Sequence, residues 1–236
     1  MSTFEIHKAE DRGYANHGWL KSYHSFSFAN YYNPERIKFG VLRVLNDDII
    51  SGGSGFGMHP HDNMEIITIP LEGALKHEDS LGNKGVIGVN EVQVMSAGNG
   101  IIHSEFNASD TEDGKFLQIW LFPHIRDVDS RYDQYQFNSD DFLNRFQLLV
   151  SPINGGAPLW IHQDAWVSKL NAKENLPTSY QLKKEGNGLY IFVIEGTVET
   201  KDFILNKRDA VGIKGISNQE LTVKKGSEIL IFDIPV

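Results

Sequence analysis

The chain has 236 residues, of which 40% are hydrophobic and 11% aromatic, enough for one large or two small folded domains. Its 31 acidic and 22 basic residues leave a formal charge of −9, and no Lys/Arg cluster offsets it. Such a surface repels phosphates, which argues against direct nucleic-acid binding. The absence of cysteine excludes disulfides, thiolate metal ligands and a cysteine nucleophile.

The first eleven residues carry charges where a signal peptide needs an apolar stretch. No later apolar run approaches the length of a membrane span. We therefore expect a soluble, unprocessed cytoplasmic protein that does not contact a membrane and acts as a monomer.

Short runs of β-branched and aromatic residues, separated by Gly, Asn, Asp and Pro, predict strands along most of the chain. Residues 80–83 have the composition of a hairpin turn, and residues 140–145 form the one modest helix candidate. Many short strands with close turns predict an all-β fold of sandwiches or barrels. The predicted strands are 38–45, 65–71, 74–79, 91–95, 116–122, 146–150, 166–170, 189–194 and 228–234.

A faint internal repeat indicates two copies of one β unit. Residues 69–77 and 192–200 each contain an apolar run, a Glu-Gly turn and a second run. Residues 151–158 have the composition of a linker between the copies. We therefore predict a metal-binding N-terminal domain at 1–150 and a C-terminal domain without metal ligands at 151–236.

The metal prediction rests on two pairs of side chains, His59 with His61 and His103 with Glu105. Residues i and i+2 of a strand share a face, so each pair can point two ligand groups the same way. Three imidazoles and a carboxylate suit Fe, Mn, Ni, Cu or Zn better than Ca or Mg. A single His-x-His pair would usually be an ordinary polar pair, but here a second pair follows a glycine-bearing turn at 96–100.

The second copy lacks such ligands. Aligning the copies on Gly73 and Gly196 places Leu182 and Lys184 where the first copy has His59 and His61. No histidine occurs after His162. The sequence therefore predicts one mononuclear metal ion per chain.

Longer strings carry a family resemblance over nearly the whole chain. The pattern His59-x-His61-x-x-x-Glu65, followed by Gly73 and Gly100-x-x-His103, resembles the two cupin motifs. Residues 24–34, 77–83 and 95–105 resemble the pirin family, in particular its bacterial quercetinase-like branch. Asp62-Asn63 departs from the basic residue and Gly that many pirins carry, which makes the approach to the site more acidic.

The resemblance implies a bicupin, with two jelly-roll β-barrels and a metal ion in the N-terminal one. Family ligands map onto His59, His61, His103 and Glu105, and the ion is often Fe(II), with Mn, Ni, Cu, Co or Zn as alternatives. Cupins in general also use the Glu of the first motif, here Glu65, as a ligand, and by strand parity Glu65 shares a face with His59 and His61. The pirin pattern favours Glu105 instead, with Glu65 accepting an imidazole N–H from a ligand histidine.

The resemblance also implies a reaction of quercetin 2,3-dioxygenase type, in which O₂ opens a flavonol or a related phenolic or enediol ring and CO is released. Glu105 or Glu65 would accept the substrate proton. The alternatives are a metal-dependent regulatory or redox-sensing protein that binds a protein partner, as eukaryotic pirins are thought to do, and a small-ligand sensor without turnover.

The other histidines receive smaller predictions. His24 either lines the pocket or packs at a barrel edge, and His77 is expected on a surface turn. His124 and His162 fall in loop-like stretches without an assigned role. Alternate inward residues of a small barrel line its pocket, and the candidates for apolar lining are Phe39, Met95, Trp120 and Phe122.

Overall fold

The computed structural model describes residues 2–236, which form twenty-two strands and two 3₁₀ helices, Ala9–Asp11 and Ser139–Phe142. The strands are β1 (Thr3–His7), β2 (Gly13–Asn16), β3 (Leu20–His24), β4 (Leu42–Ile50), β5 (Gly55–His61), β6 (Glu65–Glu72), β7 (Ala74–Asp79), β8 (Lys84–Gly88), β9 (Glu91–Ser96), β10 (Ile101–Asn107), β11 (Gly114–Leu121), β12 (Arg131–Gln136), β13 (Gln147–Pro152), β14 (Leu159–Ile161), β15 (Trp166–Asn171), β16 (Leu176–Gln181), β17 (Asn187–Glu195), β18 (Thr197–Glu199), β19 (Ile204–Asn206), β20 (Ala210–Lys214), β21 (Asn218–Val223) and β22 (Glu228–Pro235).

The strands build two barrels of the same plan. In the N-terminal barrel a seven-stranded sheet, β12-β9-β6-β11-β4-β3-β2, faces the four-stranded sheet β5-β10-β7-β8. In the C-terminal barrel the seven-stranded sheet is β1-β20-β17-β22-β15-β13-β14 and the four-stranded sheet is β16-β21-β18-β19. The prediction of an all-β chain with two cupin barrels is confirmed.

The two seven-stranded sheets pack against each other, and this explains the uninterrupted apolar runs in the sequence. In β6, Ile67 and Ile69 join the core between the barrels, whereas Ile66 points into the N-terminal barrel. In β17, Tyr190, Phe192 and Ile194 join the same core. A strand buried on both faces needs apolar residues at successive positions, so alternation is lost.

The repeated Glu-Gly turn is a real structural repeat. Gly73 lies between β6 and β7 with φ +74°, and Gly196 lies between β17 and β18 with φ +81°. These left-handed conformations favour glycine because it has no Cβ. The hairpin predicted at 80–83 is confirmed, since it joins β7 to β8.

The helix predicted at 140–145 is wrong. Only the single 3₁₀ turn Ser139–Phe142 forms there, opened by a reciprocal capping box between Asn138 and Asp141. Asn144 then adopts φ +52° and donates its N–H to Asn171 O, which directs the chain into β13. Within residues 2–236 no helix has the length and apolar character required to cross a membrane.

The expected division at residue 150 stays a prediction, and two strands near the ends of the predicted N-terminal domain pair with strands of the other barrel. β1 pairs with β20 and so belongs to the C-terminal seven-stranded sheet. β13 crosses residue 150 and pairs within the same sheet. The first strand and the end of the predicted N-terminal domain therefore build the C-terminal barrel.

Candidate metal centre

Three histidines meet where β5 and β10 pair. His59 lies opposite His103 in the antiparallel register, and His61 lies opposite Ile101. The ring centroids are 4.4 Å apart for His59 and His103, 4.8 Å for His59 and His61, and 5.0 Å for His61 and His103. Ring nitrogens from all three lie within 4.8 Å of one another. The i, i+2 rule thus brings the predicted imidazoles together.

A β-bulge sets the orientation of His59. The pairing moves from His103 opposite His59 to Glu105 opposite Phe56, so β5 has one more residue than β10 over this interval. The carbonyl of Gly57, in the bulge, lies 2.8 Å from His59 Nδ1. A carbonyl can only accept, so Nδ1 carries the proton and Nε2 keeps its lone pair.

The site favours neutral imidazoles. Burial, followed by the neighbouring His59, lowers the pKa of His61 to about 4. Burial together with His59 and His61 also lowers the pKa of His103 far below its usual range. His103 is 1% exposed, and its Nε2 is a buried nitrogen without a hydrogen-bond partner. Deprotonated, unpaired imidazole nitrogens that face one another fit a divalent transition-metal ion.

Glu105 lies on the next inward position of β10 and is buried. Gln118 Nε2 donates to its Oε1 at 2.9 Å, and Thr68 Oγ1 approaches the same oxygen at 3.4 Å. Burial raises the pKa of the Glu105 carboxyl, and the Gln118 hydrogen bond opposes this. A carboxylate oxygen of Glu105 lies within 4.8 Å of His103 and His77 nitrogens. Glu105 as the fourth ligand stays a prediction.

Glu65 does not occupy the expected position. Its carboxylate accepts a hydrogen bond from Ser96 Oγ at 2.7 Å and lies 3.2 Å from His162 Nδ1, on the side of β6 that faces the other barrel. The parity argument fails because β5 and β6 belong to different sheets and Asn63, with φ +47°, turns the chain between them. The expectation that Glu65 accepts an N–H from a ligand histidine is therefore wrong, and it lies apart from the three imidazoles.

The structure places His77 behind His103 and not on a surface turn. His77 is 1% exposed, its Nδ1 lies 3.5 Å from His103 Nδ1, and its Nε2 lies 3.2 Å from Asp79 Oδ2. Its ring stacks on Tyr132, with centroids 4.4 Å apart and planes at 27°. The signal was present in the sequence, because His77 and Asp79 form another i, i+2 pair on a strand.

A strip of polar side chains crosses the interior opposite the histidines. His24 Nδ1 lies 2.9 Å from Asn46 Oδ1 and 3.3 Å from Ser22 Oγ, and Ser22 also donates to Asp48. Burial, partly offset by Ser22, raises the pKa of Asp48 to about 7. His24 therefore lines the pocket, and the reading that it only packs at a barrel edge is wrong.

These groups surround a cavity of about 410 Å³ that opens beside the histidines. This volume lies in the range of pockets for small organic ligands. Aromatic rings of Trp19, Phe28, Phe56 and Trp120 supply much of its wall. Of the four apolar candidates, Trp120 lines the cavity. Phe39 packs in the core between the barrels, Met95 packs in a small cluster with Ile66 and Ile101, and Phe122 is exposed beside Lys38.

Comparison with family models gives two matches that follow one another along the chain. Residues 6–121 match the model described as Pirin. Residues 148–234 match the model described as Quercetinase C-terminal cupin domain. The curated quercetin 2,3-dioxygenase of Escherichia coli K12 is 41% identical over 230 residues, which cover 98% of both chains.

Solved structures of related proteins resemble the chain over the same length. The crystal structure of YhhW from Escherichia coli superposes with a TM-score of 0.94 at 40% identity, covering 99% of each chain. The structure of bacterial pirin YhhW from Escherichia coli in complex with nickel(II) superposes with a TM-score of 0.93 at 39% identity, again over 99% of each chain. Similarity of this extent covers both barrels.

Proposed function

Because the chain belongs to the pirin family, we propose that it is a metal-dependent dioxygenase of quercetin 2,3-dioxygenase type. The observation that carries the proposal is the cluster of imidazole rings from His59, His61 and His103 at one wall of an aromatic cavity. The relatives named quercetin 2,3-dioxygenase and the nickel(II) complex of a pirin support it.

We assign His59, His61, His103 and Glu105 as the residues that hold one divalent ion. Fe(II) is our first choice, and three nitrogens with one oxygen also suit Mn, Ni, Cu, Co or Zn. When bound, the ion supplies a Lewis acid that lowers the pKa of a coordinated substrate hydroxyl.

Glu105 is the group we assign as proton acceptor for the flavonol 3-hydroxyl. Burial favours a protonated carboxyl, so the group is suited to take and keep a proton inside the cavity. Gln118 and Thr68 hold Oε1 and so fix the orientation of the carboxylate. Glu65, which we predicted as the other acceptor, faces the opposite barrel and is not part of this proposal.

The aromatic wall binds and shields the substrate. Trp19, Phe28, Phe56 and Trp120 offer flat apolar surfaces to a planar phenolic ring and exclude water from it. The ring then reacts with dioxygen, both oxygen atoms enter the opened depside, and the carbon that bore the 3-hydroxyl leaves as carbon monoxide. A phenolic or enediol compound other than quercetin would fit the same chemistry.

The test is turnover of a flavonol panel in air by metal-loaded protein, with oxygen consumption and carbon monoxide measured together. We expect matched loss of flavonol and oxygen, and no reaction after chelation. In Glu105→Gln the turnover rate should fall by about 10²- to 10⁴-fold, the range for loss of a general base. If loaded protein leaves every flavonol unchanged, the proposal fails and a regulatory or sensing role replaces it.

Glu65→Gln is the matched control, because both carboxyls are buried and each accepts hydrogen bonds from two side chains. It should keep turnover and metal content within about threefold of wild type, since the side-chain partners of Glu65 are Ser96 and His162 and none of the three imidazoles. Equal losses in the two variants would show that the effect comes from disturbed packing. A cytoplasmic, monomeric protein that contacts neither membrane nor nucleic acid stays our prediction.

A further inference from the structure

Three buried side chains stand in a row behind the cavity wall. Asp79 Oδ2 lies 3.2 Å from His77 Nε2, and His77 Nδ1 lies 3.5 Å from His103 Nδ1. The side chains of His77 and Asp79 have no exposed area, and His103 is 1% exposed. Neighbouring strands β7 and β10 hold the row, with Glu105 opposite His77 and His103 opposite Asp79 in the register.

The turn after β7 fixes what Asp79 can do. Its Oδ1 accepts from the backbone N–H groups of Leu81 at 2.9 Å and Asn83 at 3.0 Å. Asn83 Nδ2 also donates to both carboxylate oxygens, at 3.2 Å and 2.9 Å. The carboxylate is thus held as an acceptor, so His77 Nε2 must carry the proton that is donated to Oδ2.

The tautomer of His77 then determines the tautomer of His103. In the neutral tautomer of His77 the single N–H is on Nε2, so Nδ1 offers only a lone pair toward His103. His103 Nδ1 can meet that lone pair only as a donor. The lone pair of His103 is therefore on Nε2, and Nε2 is the buried nitrogen without a hydrogen-bond partner.

We propose that His77 and Asp79 are positioning residues that set the tautomer of His103, so that its Nε2 lone pair points to the metal. This rests on the metal centre proposed above and is independent of the substrate. Tyr132, stacked on His77, keeps the ring from rotating about its side-chain bonds. The second cluster of close ligand atoms, His77 with His103 and Glu105, is then a support for the ligands and not a second ion site.

Asp79→Asn is the decisive variant. The Oδ1 position of the amide must stay a carbonyl, because two backbone N–H groups donate to it. The NH₂ group therefore faces His77 Nε2, which has to become an acceptor, and both rings reverse their tautomers. The Asn83 amide, which donates to this position in the wild type, has to turn its oxygen toward the new NH₂ group. His103 Nε2 would then carry hydrogen and oppose metal binding, the kind of effect seen when an Asp that orients a catalytic His is replaced by Asn.

We expect Asp79→Asn to weaken nickel(II) binding by about 10- to 100-fold, measured by competition with a chromophoric chelator on protein without a His-tag. A second measurement uses ¹⁵N imidazole NMR of the metal-free protein, with the His103 signals assigned by their loss in His103→Asn. Wild type should show His103 protonated at Nδ1, and Asp79→Asn should show it protonated at Nε2. The wild-type spectrum decides the question even if the variant does not fold.

Two replacements of His77 separate positioning from packing. His77→Phe keeps a ring against Tyr132 but offers no acceptor, and it should lose nickel affinity about as much as Asp79→Asn. His77→Gln carries a carbonyl to accept from His103 and an amide to donate to Asp79, so it should recover most of that loss. If His77 were itself a ligand, Asp79→Asn would bind normally and His77→Gln would not recover binding, and the proposal would be overturned.

Asp209→Asn is the matched control, since Asp209 is also a buried carboxylate that accepts from backbone N–H groups, those of Ala9 at 2.9 Å and Asn206 at 3.0 Å. It should keep wild-type nickel affinity whatever it does to thermal stability. If wild type binds no nickel, the metal centre itself fails. If wild type binds nickel but its His103 is protonated at Nε2, or Asp79→Asn binds equally well, only the positioning proposal fails.

Discussion

The two barrels share one strand plan but fill their interiors differently. The C-terminal barrel encloses a continuous apolar cluster that includes Leu189, Ile191 and Val193 of β17. In the N-terminal barrel the buried apolar residues inside divide into two small clusters, and the cavity with its polar side chains lies between them. One barrel is a packed core and the other contains a polar site, in which most buried polar side chains are stabilised by hydrogen bonds to one another.

The strand registers identify which residues correspond. Leu75 and Val198 stand two positions after Gly73 and Gly196, opposite Asn107 and Val223. Two residues earlier on each partner strand come Glu105 and Leu221, and two earlier again His103 and Gln219. Every polar group that we assign to the metal on β10 is thus replaced on β21 by a residue without ligand function.

The largest effect should come from removing the imidazole that the two histidines of β5 face. His103→Ala should lower the metal content from about one ion per chain to a small fraction of it, because the remaining ligands cannot close the site. Elemental analysis of protein without a His-tag measures this. Gln219→Ala, at the equivalent position of the other barrel, should leave the content unchanged. Two tightly bound ions per wild-type chain would contradict the comparison.

The next effect is on stability, at the equivalent of Glu105. Leu221 is 4% exposed and packs in the C-terminal core, so Leu221→Glu places a carboxyl among apolar groups. We expect the free energy of unfolding to fall by about 3 kcal/mol, since the carboxyl would leave water for surroundings made mainly of apolar side chains. Urea denaturation measures it, and Leu221→Met is the control of similar volume. An equal effect of both variants would mean that shape and not polarity separates the barrels.

The sequence predicted the all-β fold and the meeting of His59, His61 and His103, because both follow from the two-residue period of strands. The arrangement as a bicupin was implied by the family resemblance and not by that period. The prediction for Glu65 failed, because the two-residue period of β5 was extended across residues 62–64 to β6. Asn63 turns the chain there, and the next strand belongs to another sheet. Period arguments hold within a strand and stop at its end.

His77 and Asp48 show a second limit. The i, i+2 pair of His77 and Asp79 indicates a shared face of β7 but not which way that face points. The burial of His77 is revealed by its neighbours β10 and β12. The role of the strip formed by Ser22, His24, Asn46 and Asp48 depends on pairing between strands distant in sequence. Such contacts leave no local pattern, so they could not be predicted from the sequence.

The polar interior should also make the stability depend on pH. Burial raises the pKa of Asp48 to about 7 in the folded protein, from an ordinary value of 3.8 in the unfolded chain. The folded state then holds the proton more tightly, so stability falls as pH rises from about 4 to about 7. The distance between the two pKa values corresponds to about 4 kcal/mol at most.

Asp48→Asn removes this titration. The difference in free energy of unfolding between Asp48→Asn and wild type should increase between pH 4 and pH 7 and then stay constant. Urea titrations of protein from which metal has been removed by a chelator measure this difference. Asp233→Asn supplies the comparison from the other barrel, where Lys183 N–H and Asn187 donate to the carboxylate but burial still raises its pKa. A difference between Asp48→Asn and wild type that does not change with pH would mean that Asp48 ionises normally.

The smallest expected effect concerns the alignment of the two copies. Counting back from the glycines places Leu182 and Lys184 at the positions of His59 and His61, but β16 ends at Gln181 and β17 begins at Asn187. Five residues join these strands, whereas three join β5 to β6, so 182 and 184 lie beyond the strand. Leu182→His with Lys184→His should therefore add no second ion, measured as metal content after nickel loading.

Tyr180 and Gln219 do lie opposite each other, as His59 and His103 do, and Tyr180→His with Gln219→His should add weak nickel binding. A second ion in the first variant and none in the second would mean that sequence offset, and not strand register, locates the equivalent positions.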